Sequence, residues 1–182
     1  MIQFSVLMPV YINDNPIYFE QALNSIYEKQ TLKPNQIVIV KDGPLTLKLE
    51  DILKNFREIC KCRLDIICLL KNGGLANALN IGGDSCVNDL IARMDSDDIA
   101  FPDRFEKQIK YLLNHNLDIV GGQIIEFGKD ISDVISERKV PLKHNEIVRF
   151  LKFRVPFSHP TIIFKKKVFD DLKGYDPGVF PE

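Results

Sequence analysis

The chain has 182 residues, of which 45% are hydrophobic and 27% are charged, and its formal charge at pH 7 is −1. This composition is typical of a globular domain with a sizeable core and excludes an intrinsically disordered chain. Because 24 basic residues are balanced by 25 acidic ones, the overall charge gives no reason to expect binding to nucleic acid or to an anionic membrane. A charge that matters for function must therefore be local.

The N-terminal segment and the cysteines both favour a cytoplasmic protein. Residues 1–14 lack the basic region of a signal peptide and contain Pro9, so they are interpreted as a first strand. A lone C-x-C pair, Cys60 and Cys62, makes a poor zinc site, and the four cysteines are interpreted as structural thiols. No stretch approaches the ~18 apolar residues of a membrane span. Peripheral association with the inner face of a membrane, through surfaces outside this sequence, stays open.

Apolar runs typical of strands alternate with segments of helical periodicity. In the first helical segment, Phe19, Leu23 and Ile26 lie on one face of a helix. The alternation predicts βαβ units, and hence an α/β fold with a mostly parallel sheet flanked by helices on both faces. The predicted strands are 4–10, 36–42, 64–70, 89–95 and 117–127. The predicted helices are 16–29, 47–60, 74–82 and 103–115.

The alternating pattern loosens after Phe127. Residues 128–146 are polar and are expected to form a hairpin or an excursion from the sheet. Further elements are predicted as a helix at 144–152, a strand at 161–164 and a helix at 166–172. Because the sequence stops without a capping helix or a polar tail, we expect the chain to be a fragment.

Three acids, Asp95, Asp97 and Asp98, crowd directly behind the fourth predicted strand. Like charges at this spacing repel one another, so a cation is expected between them. Parallel sheets bind ligands at the carboxyl ends of their strands, where the strand order reverses. Carboxylate oxygens suit Mg²⁺ or Mn²⁺, which also accept phosphate oxygens. We therefore predict a divalent metal held by Asp95 and Asp97, with a diphosphate on its other side.

More ordinary explanations of these polar segments stay open. A surface loop after a strand is polar by default, and Asp98 and Asp103 also suit a turn and the start of the next helix. The glycines of 71–84 allow close approach of an anion to a helix N-terminus, but they equally suit a plain turn. Taken alone, a D-x-D pair is a weak sign of a metal site.

Five segments, in order along the chain, resemble the family 2 glycosyltransferases, which are inverting enzymes with a GT-A fold. The segments are SVLMPVYIND, FEQALNSIYEKQTLKPNQIVIVKDGP, LLKNGGLANALNIGGD, IARMDSDDIAFPDRFEKQI and SHPTIIFKKKVFDDLKGYD. The resemblance covers nearly the whole chain and implies a single Rossmann-like GT-A domain over 1–182. In that domain 1–98 would bind the nucleotide-sugar, and 99–182 would begin the acceptor-binding half.

The resemblance implies roles for single residues in the donor site. Pro9, Val10 and Tyr11 would lie against the nucleoside, and Asp42 would hydrogen-bond the base. Lys41 replaces a second acid that the family often has there, which leaves the base less defined, with uracil as the first choice. The other donor-site residues implied by the resemblance are Glu20, Asn72, Ala76, Asn80, Arg93, Asp95, Ser96 and Asp97.

Several of these assignments carry a particular role or an alternative. Arg93 would pair with the acids or the diphosphate, and its spacing from Asp95 puts both side chains on one face of the strand. Asp97 would be the firmer metal ligand, while Asp95 would also contact the ribose. Glu20 is equally well explained as an exposed helical acid. His159 matches an occasional extra metal ligand of the family, but a structural role before Pro160 is the simpler interpretation.

The implied activity is transfer of a hexose, with inversion, from a UDP-sugar to a saccharide or lipid-linked saccharide during polysaccharide biosynthesis. The family's general base is a carboxylate in an acidic pair, and Glu182 is expected to be the first member of that pair. Two alternatives stay open: a nucleotide-sugar binding module without turnover, and a sugar nucleotidyltransferase. The latter should carry a glycine-rich, Arg-bearing loop after the first strand, where this chain has VYINDNP.

Overall fold

The computed structural model describes residues 2–128 and 130–178 and is built on a six-stranded sheet. The strands of this sheet are β1 (Ser5–Val10), β2 (Gln36–Lys41), β3 (Arg63–Cys68), β4 (Leu90–Arg93), β5 (Ile119–Val120) and β8 (Ile163–Lys165). A separate hairpin pairs β6 (Ile124–Phe127) with β7 (Val134–Arg138). In the main sheet, β1 to β4 run parallel, whereas β8 lies antiparallel between β4 and β5. The predicted mostly parallel sheet is therefore confirmed.

Within the described residues, six α-helices connect and cover the strands. They are α1 (Pro16–Ile26), α2 (Leu47–Ile59), α3 (Leu75–Ser85), α4 (Arg104–Asn114), α5 (His144–Phe150) and α6 (Lys166–Leu172). The first begins where the Asn15 side chain accepts the Ile17 N–H at 2.9 Å and Pro16 takes a position that needs no amide donor. No helix within the described residues combines the length and the apolar character that crossing a bilayer requires.

Two cores lie on opposite faces of the sheet because successive side chains of a strand point to opposite sides. On one face Met8 and Ile39 pack with residues of α1, α2 and α4. On the other face Leu7, Val38 and Val40 pack with residues of α3 and α6. The predicted placement of helices on both faces is thereby confirmed.

Helix α3 lies very close to the sheet. A Cβ atom added to Gly82 would come within 2.3 Å of Leu7 Cδ1 and 2.7 Å of Val40 Cγ2. Both side chains are fully buried, so they have little room to move. Glycine at this position therefore lets α3 pack closely on the sheet, so that the loop before α3 lies at the ends of β1 and β2.

The prediction of one continuous strand over 117–127 was wrong. The chain leaves the main sheet after Val120 and re-enters strand structure only at Ile124, in the hairpin. Thr161 fixes this departure, because its Oγ1 accepts the Gly122 N–H at 2.9 Å. A hairpin is present, but it starts earlier than expected, because β6 precedes the polar stretch 128–146 and pairs with β7 inside it.

The strand order places a crevice at the middle of the sheet. The order is β3-β2-β1-β4-β8-β5, so the chain builds outward from β1 on one side and then returns to its other side with β4. The strand order therefore reverses between β1 and β4. In open α/β sheets this is the point at which ligands bind, at the carboxyl ends of the strands.

Candidate functional site

A cleft of about 400 Å³ opens at this reversal point. It is bounded by the ends of β1, β2 and β4 and by the start of α3. Of the twelve residues that the sequence assigns to the donor site, eight line this cleft. They are Pro9, Val10, Tyr11, Asp42, Asn72, Asp95, Ser96 and Asp97. The other lining residues are Asp14, Gly74 and Leu75.

The loop after β1 is tied across the cleft to the loop after β4. Asp14 Oδ2 accepts the Tyr11 backbone N–H at 3.1 Å and the Ser96 hydroxyl at 2.6 Å. Burial raises the pKa of Asp14, and the negative charges of Asp97 and Asp95 add to that rise. Sequence reasoning missed this residue, although an acid three positions after a strand-ending Tyr was a visible signal.

Asp42 fixes the opposite wall of the cleft. Its buried carboxylate accepts the Gly73 N–H at 2.7 Å and the Gly74 N–H at 3.0 Å, which holds the loop between β3 and α3. The next residue, Gly43, has φ of +91°, and a Cβ there would lie 2.8 Å from the Asn72 backbone nitrogen. The turn after β2 and the loop before α3 therefore form one hydrogen-bonded unit.

Lys41, which stands where a second acid was considered, does not line the cleft. Its ammonium group forms an ion pair with Glu50 on α2. Asp42 is consequently the acid that the end of β2 contributes to the cleft.

The three acids behind β4 converge on one point. Asp95, Asp97 and Asp98 each offer a carboxylate oxygen, and these oxygens lie within 4.8 Å of one another. Burial raises the pKa of Asp98 to about 6, and the charges of Asp95 and Asp97 contribute. A set of three neighbouring carboxylate oxygens suits a hard divalent cation such as Mg²⁺ or Mn²⁺.

Asp98 therefore belongs with the cluster, whereas Asp103 does not. The sequence places Asp98 among three crowded acids but leaves open a role in the turn, and the structure groups its carboxylate with those of Asp95 and Asp97. Asp103 precedes α4 without a side-chain capping hydrogen bond, and its carboxylate pairs with Lys107 instead.

Arg93 lies beneath the acids and is almost fully buried, with 1% of its surface exposed. Its Nη2 forms an ion pair with Asp95, as the spacing in the sequence predicts. Its backbone carbonyl accepts a hydrogen bond of 2.8 Å from Arg104 Nη2. Among residues 2–128 and 130–178, no hydrogen-bond partner meets Arg93 Nε or Nη1. A buried positive charge thus lies next to the acid cluster and forms an ion pair with Asp95.

His159 is half-buried and lines neither cleft. Its Nε2 lies 3.1 Å from the Tyr175 hydroxyl, with the two rings in an edge-on arrangement. Burial lowers the pKa of His159 to about 4, and the charge of Arg93 acts in the same direction. A neutral imidazole bonded to Tyr175 fits the structural interpretation of this residue.

The remaining predicted site residues lie outside the cleft lining. Asn80 bonds the backbone of Tyr175 twice, donating at 2.8 Å and accepting at 2.6 Å, so its amide anchors the segment after α6. Ala76 is buried in the first turn of α3, and Glu20 is exposed on α1. Glu182 lies outside the described residues.

A second, smaller cleft of about 200 Å³ lies between α4 and the hairpin. Asp98 lines it and so connects it to the acid cluster. Gln108 and Gln123 provide amide groups, while Phe101 and Phe127 contribute apolar surface. This cleft was not identified from the sequence, because its walls come from segments that the hydrophobic pattern did not bring together.

Comparison with known proteins gives consistent results. The model of the protein family "Glycosyl transferase family 2" matches residues 5–173. The amylovoran biosynthesis glycosyltransferase AmsE of Erwinia amylovora is 38% identical over 98% of this chain, which spans 66% of that protein. The UDP-Gal:alpha-D-GlcNAc-diphosphoundecaprenol beta-1,3-galactosyltransferase of Escherichia coli is 37% identical over 95% of this chain, which spans 62% of it.

Solved structures confirm the GT-A fold. S. aureus TarS in complex with UDP superposes with a TM-score of 0.69 at 24% identity, covering 97% of this chain and 50% of that one. The mannosyltransferase PcManGT from Pyrobaculum calidifontis, in complex with GDP-Man and Mn²⁺, gives a TM-score of 0.70 at 17% identity, covering 97% and 48%. Together, the match to residues 5–173, the two relatives and the fold establish that the chain belongs to glycosyl transferase family 2.

Proposed function

We propose that the larger cleft binds a nucleotide-sugar, first of all a UDP-sugar, together with Mn²⁺ or Mg²⁺. On this proposal the chain supplies the donor side of an inverting hexosyltransferase of polysaccharide biosynthesis. The observation that carries the proposal is the meeting of Asp95, Asp97 and Asp98. Asp95 and Asp97 line the larger cleft together with the ends of β1 and β2, and Asp98 borders the second cleft.

The nucleoside would occupy the part of the cleft between β1 and β2. Tyr11 is 40% exposed at the rim and offers an aromatic face to a base. Each Asp42 oxygen accepts one backbone N–H and keeps a further lone pair for a base N–H donor. Neighbours of the same fold bind UDP in one case and GDP-Man in another, so the choice of uracil is part of the proposal.

The diphosphate would lie towards the acids. A divalent cation bound there would neutralise the diphosphate and so stabilise it as a leaving group. The chain's own contribution is to hold the ligands in place. Arg93 fixes Asp95 from below, and the bond from Ser96 to Asp14 ties the β4 loop to the β1 loop. All of these contacts are made by the chain's own residues, and they fix the carboxylates where charge on the diphosphate would have to be stabilised.

The acceptor would approach from the second cleft, which Asp98 joins to the acid cluster. The printed name of the Escherichia coli relative gives it a saccharide acceptor linked to undecaprenol through a diphosphate. We extend that acceptor class to this chain, with Glu182 as first member of the acidic pair that deprotonates the acceptor hydroxyl. A lipid-linked acceptor would place the protein in the cytoplasm at the inner face of the membrane.

Calorimetric titration of UDP and GDP in the presence of Mn²⁺, and then with EDTA, tests the donor site. We expect one of the two nucleotides to bind only with metal. Loss of a metal ligand should weaken that binding by roughly a hundredfold in Asp97→Asn, since even outer-shell partners contribute 10- to 100-fold.

Asp103→Asn is the matched control, because it removes an acid near the cluster that pairs with Lys107 and lies outside the cleft. Its nucleotide affinity should equal that of the wild type. Equal binding by wild type and Asp97→Asn, or binding that survives EDTA, would contradict the assigned metal site.

A further inference from the structure

Residues 142–155, which follow the hairpin, expose an apolar surface that packs against little else. None of the seven residues of α5 is buried. Five large apolar side chains of the segment are between 48% and 84% exposed. They are Leu142, Val148, Leu151, Phe153 and Val155. Single exposed apolar residues are ordinary, but five within fourteen positions mark an interaction surface.

The same segment is locally basic although the chain as a whole is not. It contains four basic residues against one acid, Glu146, whereas the whole chain has 24 basic and 25 acidic residues. The basic residues are Lys143, Arg149, Lys152 and Arg154. All four are exposed, and none forms an ion pair with another residue of 2–128 or 130–178. Their charges are therefore available to a partner.

The apolar and basic side chains are presented by ordered backbone. The Leu151 N–H bonds the Ile147 carbonyl at 2.9 Å, and the Phe153 and Arg154 N–H groups both bond the Phe150 carbonyl at 2.9 Å. The helix thus passes into a hydrogen-bonded turn over 150–154. A surface with satisfied backbone groups can approach an apolar medium at a lower desolvation cost than an open loop.

We propose that residues 142–155 dock the protein on an anionic lipid surface. The large apolar side chains would enter the boundary between headgroups and acyl chains, and the Lys and Arg groups would contact lipid phosphates. A lipid interface accommodates apolar and basic side chains of one segment together. The long Lys and Arg side chains reach the lipid phosphates, while the apolar side chains beside them are buried away from water. The excess of positive charge specifies anionic lipid over a zwitterionic surface.

This surface is distinct from both clefts, because none of residues 142–155 lines either of them. It is nevertheless linked to the second cleft through the hairpin. Gln123 lines that cleft, and its side-chain amide bonds Val140 by donating at 3.1 Å and accepting at 2.7 Å. Docking through 142–155 would therefore hold the second cleft next to the membrane, but the docking inference does not depend on the identity of the acceptor.

Co-sedimentation of the full-length protein with vesicles tests the proposal. Vesicles of phosphatidylcholine alone are compared with vesicles that also contain phosphatidylglycerol. We expect binding only to the anionic vesicles, weakening as salt is raised. Arg149→Gln/Lys152→Gln should reduce the partition coefficient on the order of tenfold or more, and Leu151→Ser/Phe153→Ser should reduce it comparably.

The control is Leu47→Ser/Lys48→Gln at the start of α2, which removes an exposed apolar residue and an exposed basic residue from another face. It should bind vesicles as the wild type does. Nucleotide titration of every variant separates this proposal from the donor site, because intact nucleotide binding also shows that the variant is folded. Absence of vesicle binding by the wild type would overturn the proposal. The proposal would also be overturned if the control variant lost as much vesicle binding as the two test variants. It would be overturned as well if the test variants lost self-association of the protein and not vesicle binding.

Discussion

The centre of the sheet and the segment from β6 to α5 contain similar apolar residues but use them differently. All six residues of β1 are buried, and so are the first five of β2. In β7 only Ser136 is even partly buried, and the exposed residues there include Val134 and Ile135. The buried strands at the sheet centre therefore fix the position of the cleft, whereas 124–155 exposes apolar surface that is available for interaction.

The largest expected difference between the two regions is in stability. Ile39→Ala, in the buried part of β2, should lower the free energy of unfolding by about 2–5 kcal/mol because it leaves a cavity. Ile135→Ala, at a position 69% exposed, should change it by no more than about 0.5 kcal/mol. Urea denaturation followed by circular dichroism measures both. Similar losses in the two variants would show that the hairpin is part of the cooperative core.

Replacing an acid in each region should give a smaller difference in the free energy of unfolding. In Asp42→Asn the amide keeps one acceptor and turns a donor towards a glycine N–H, which should cost about 1–3 kcal/mol. Nucleotide affinity should fall as well, because the loop before α3 loses an anchor. Asp133→Asn changes an exposed acid before β7 and should alter neither quantity. Thermal melting and titration of both variants check this, and unchanged affinity in Asp42→Asn would remove Asp42 from the donor site.

The last effect arises only at acidic pH and concerns His159, which packs beside Tyr175, compared with His144 in the segment from β6 to α5. Its pKa is about 4 when folded and 6.5 when unfolded, so between these values the unfolded chain binds a proton that the folded chain does not. This group therefore makes the free energy of unfolding fall as pH drops from 6.5 towards 4, by at most about 1.4 kcal/mol per pH unit. Above pH 6.5 its contribution is constant. His159→Gln should show a shallower decline in urea denaturation over that range, and His144→Gln on exposed α5 should match the wild type.

Hydrophobic patterning was sufficient to predict the parallel strands and the helices that cover them. It failed at 117–127 because the apolar run continues through Gly121 and Gly122, and the bond from Gly122 to Thr161 that diverts the chain joins residues far apart in sequence. Such contacts carry no periodic signal.

The site, too, was predicted only in part from the sequence. Strand-end residues such as Asp42 and Asp97 line the cleft because strand ends share one edge of a parallel sheet. Asn80 matched a family motif, but its amide bonds the Tyr175 backbone, a contact across 95 positions. Asp14 was missed although it closely follows the first strand, and its bond to Ser96, 82 positions away, is what places it in the cleft.

The central claim is that the acids behind β4 hold a metal beside a nucleotide at the reversal point of the sheet. Crystals grown with UDP and Mn²⁺, with anomalous data collected at the manganese edge, test it most directly. We expect an anomalous peak bonded to Asp97 and at least one of Asp95 and Asp98, with nucleotide density between Tyr11 and Asp42. A manganese peak away from these carboxylates, or nucleotide density in the second cleft, would contradict it.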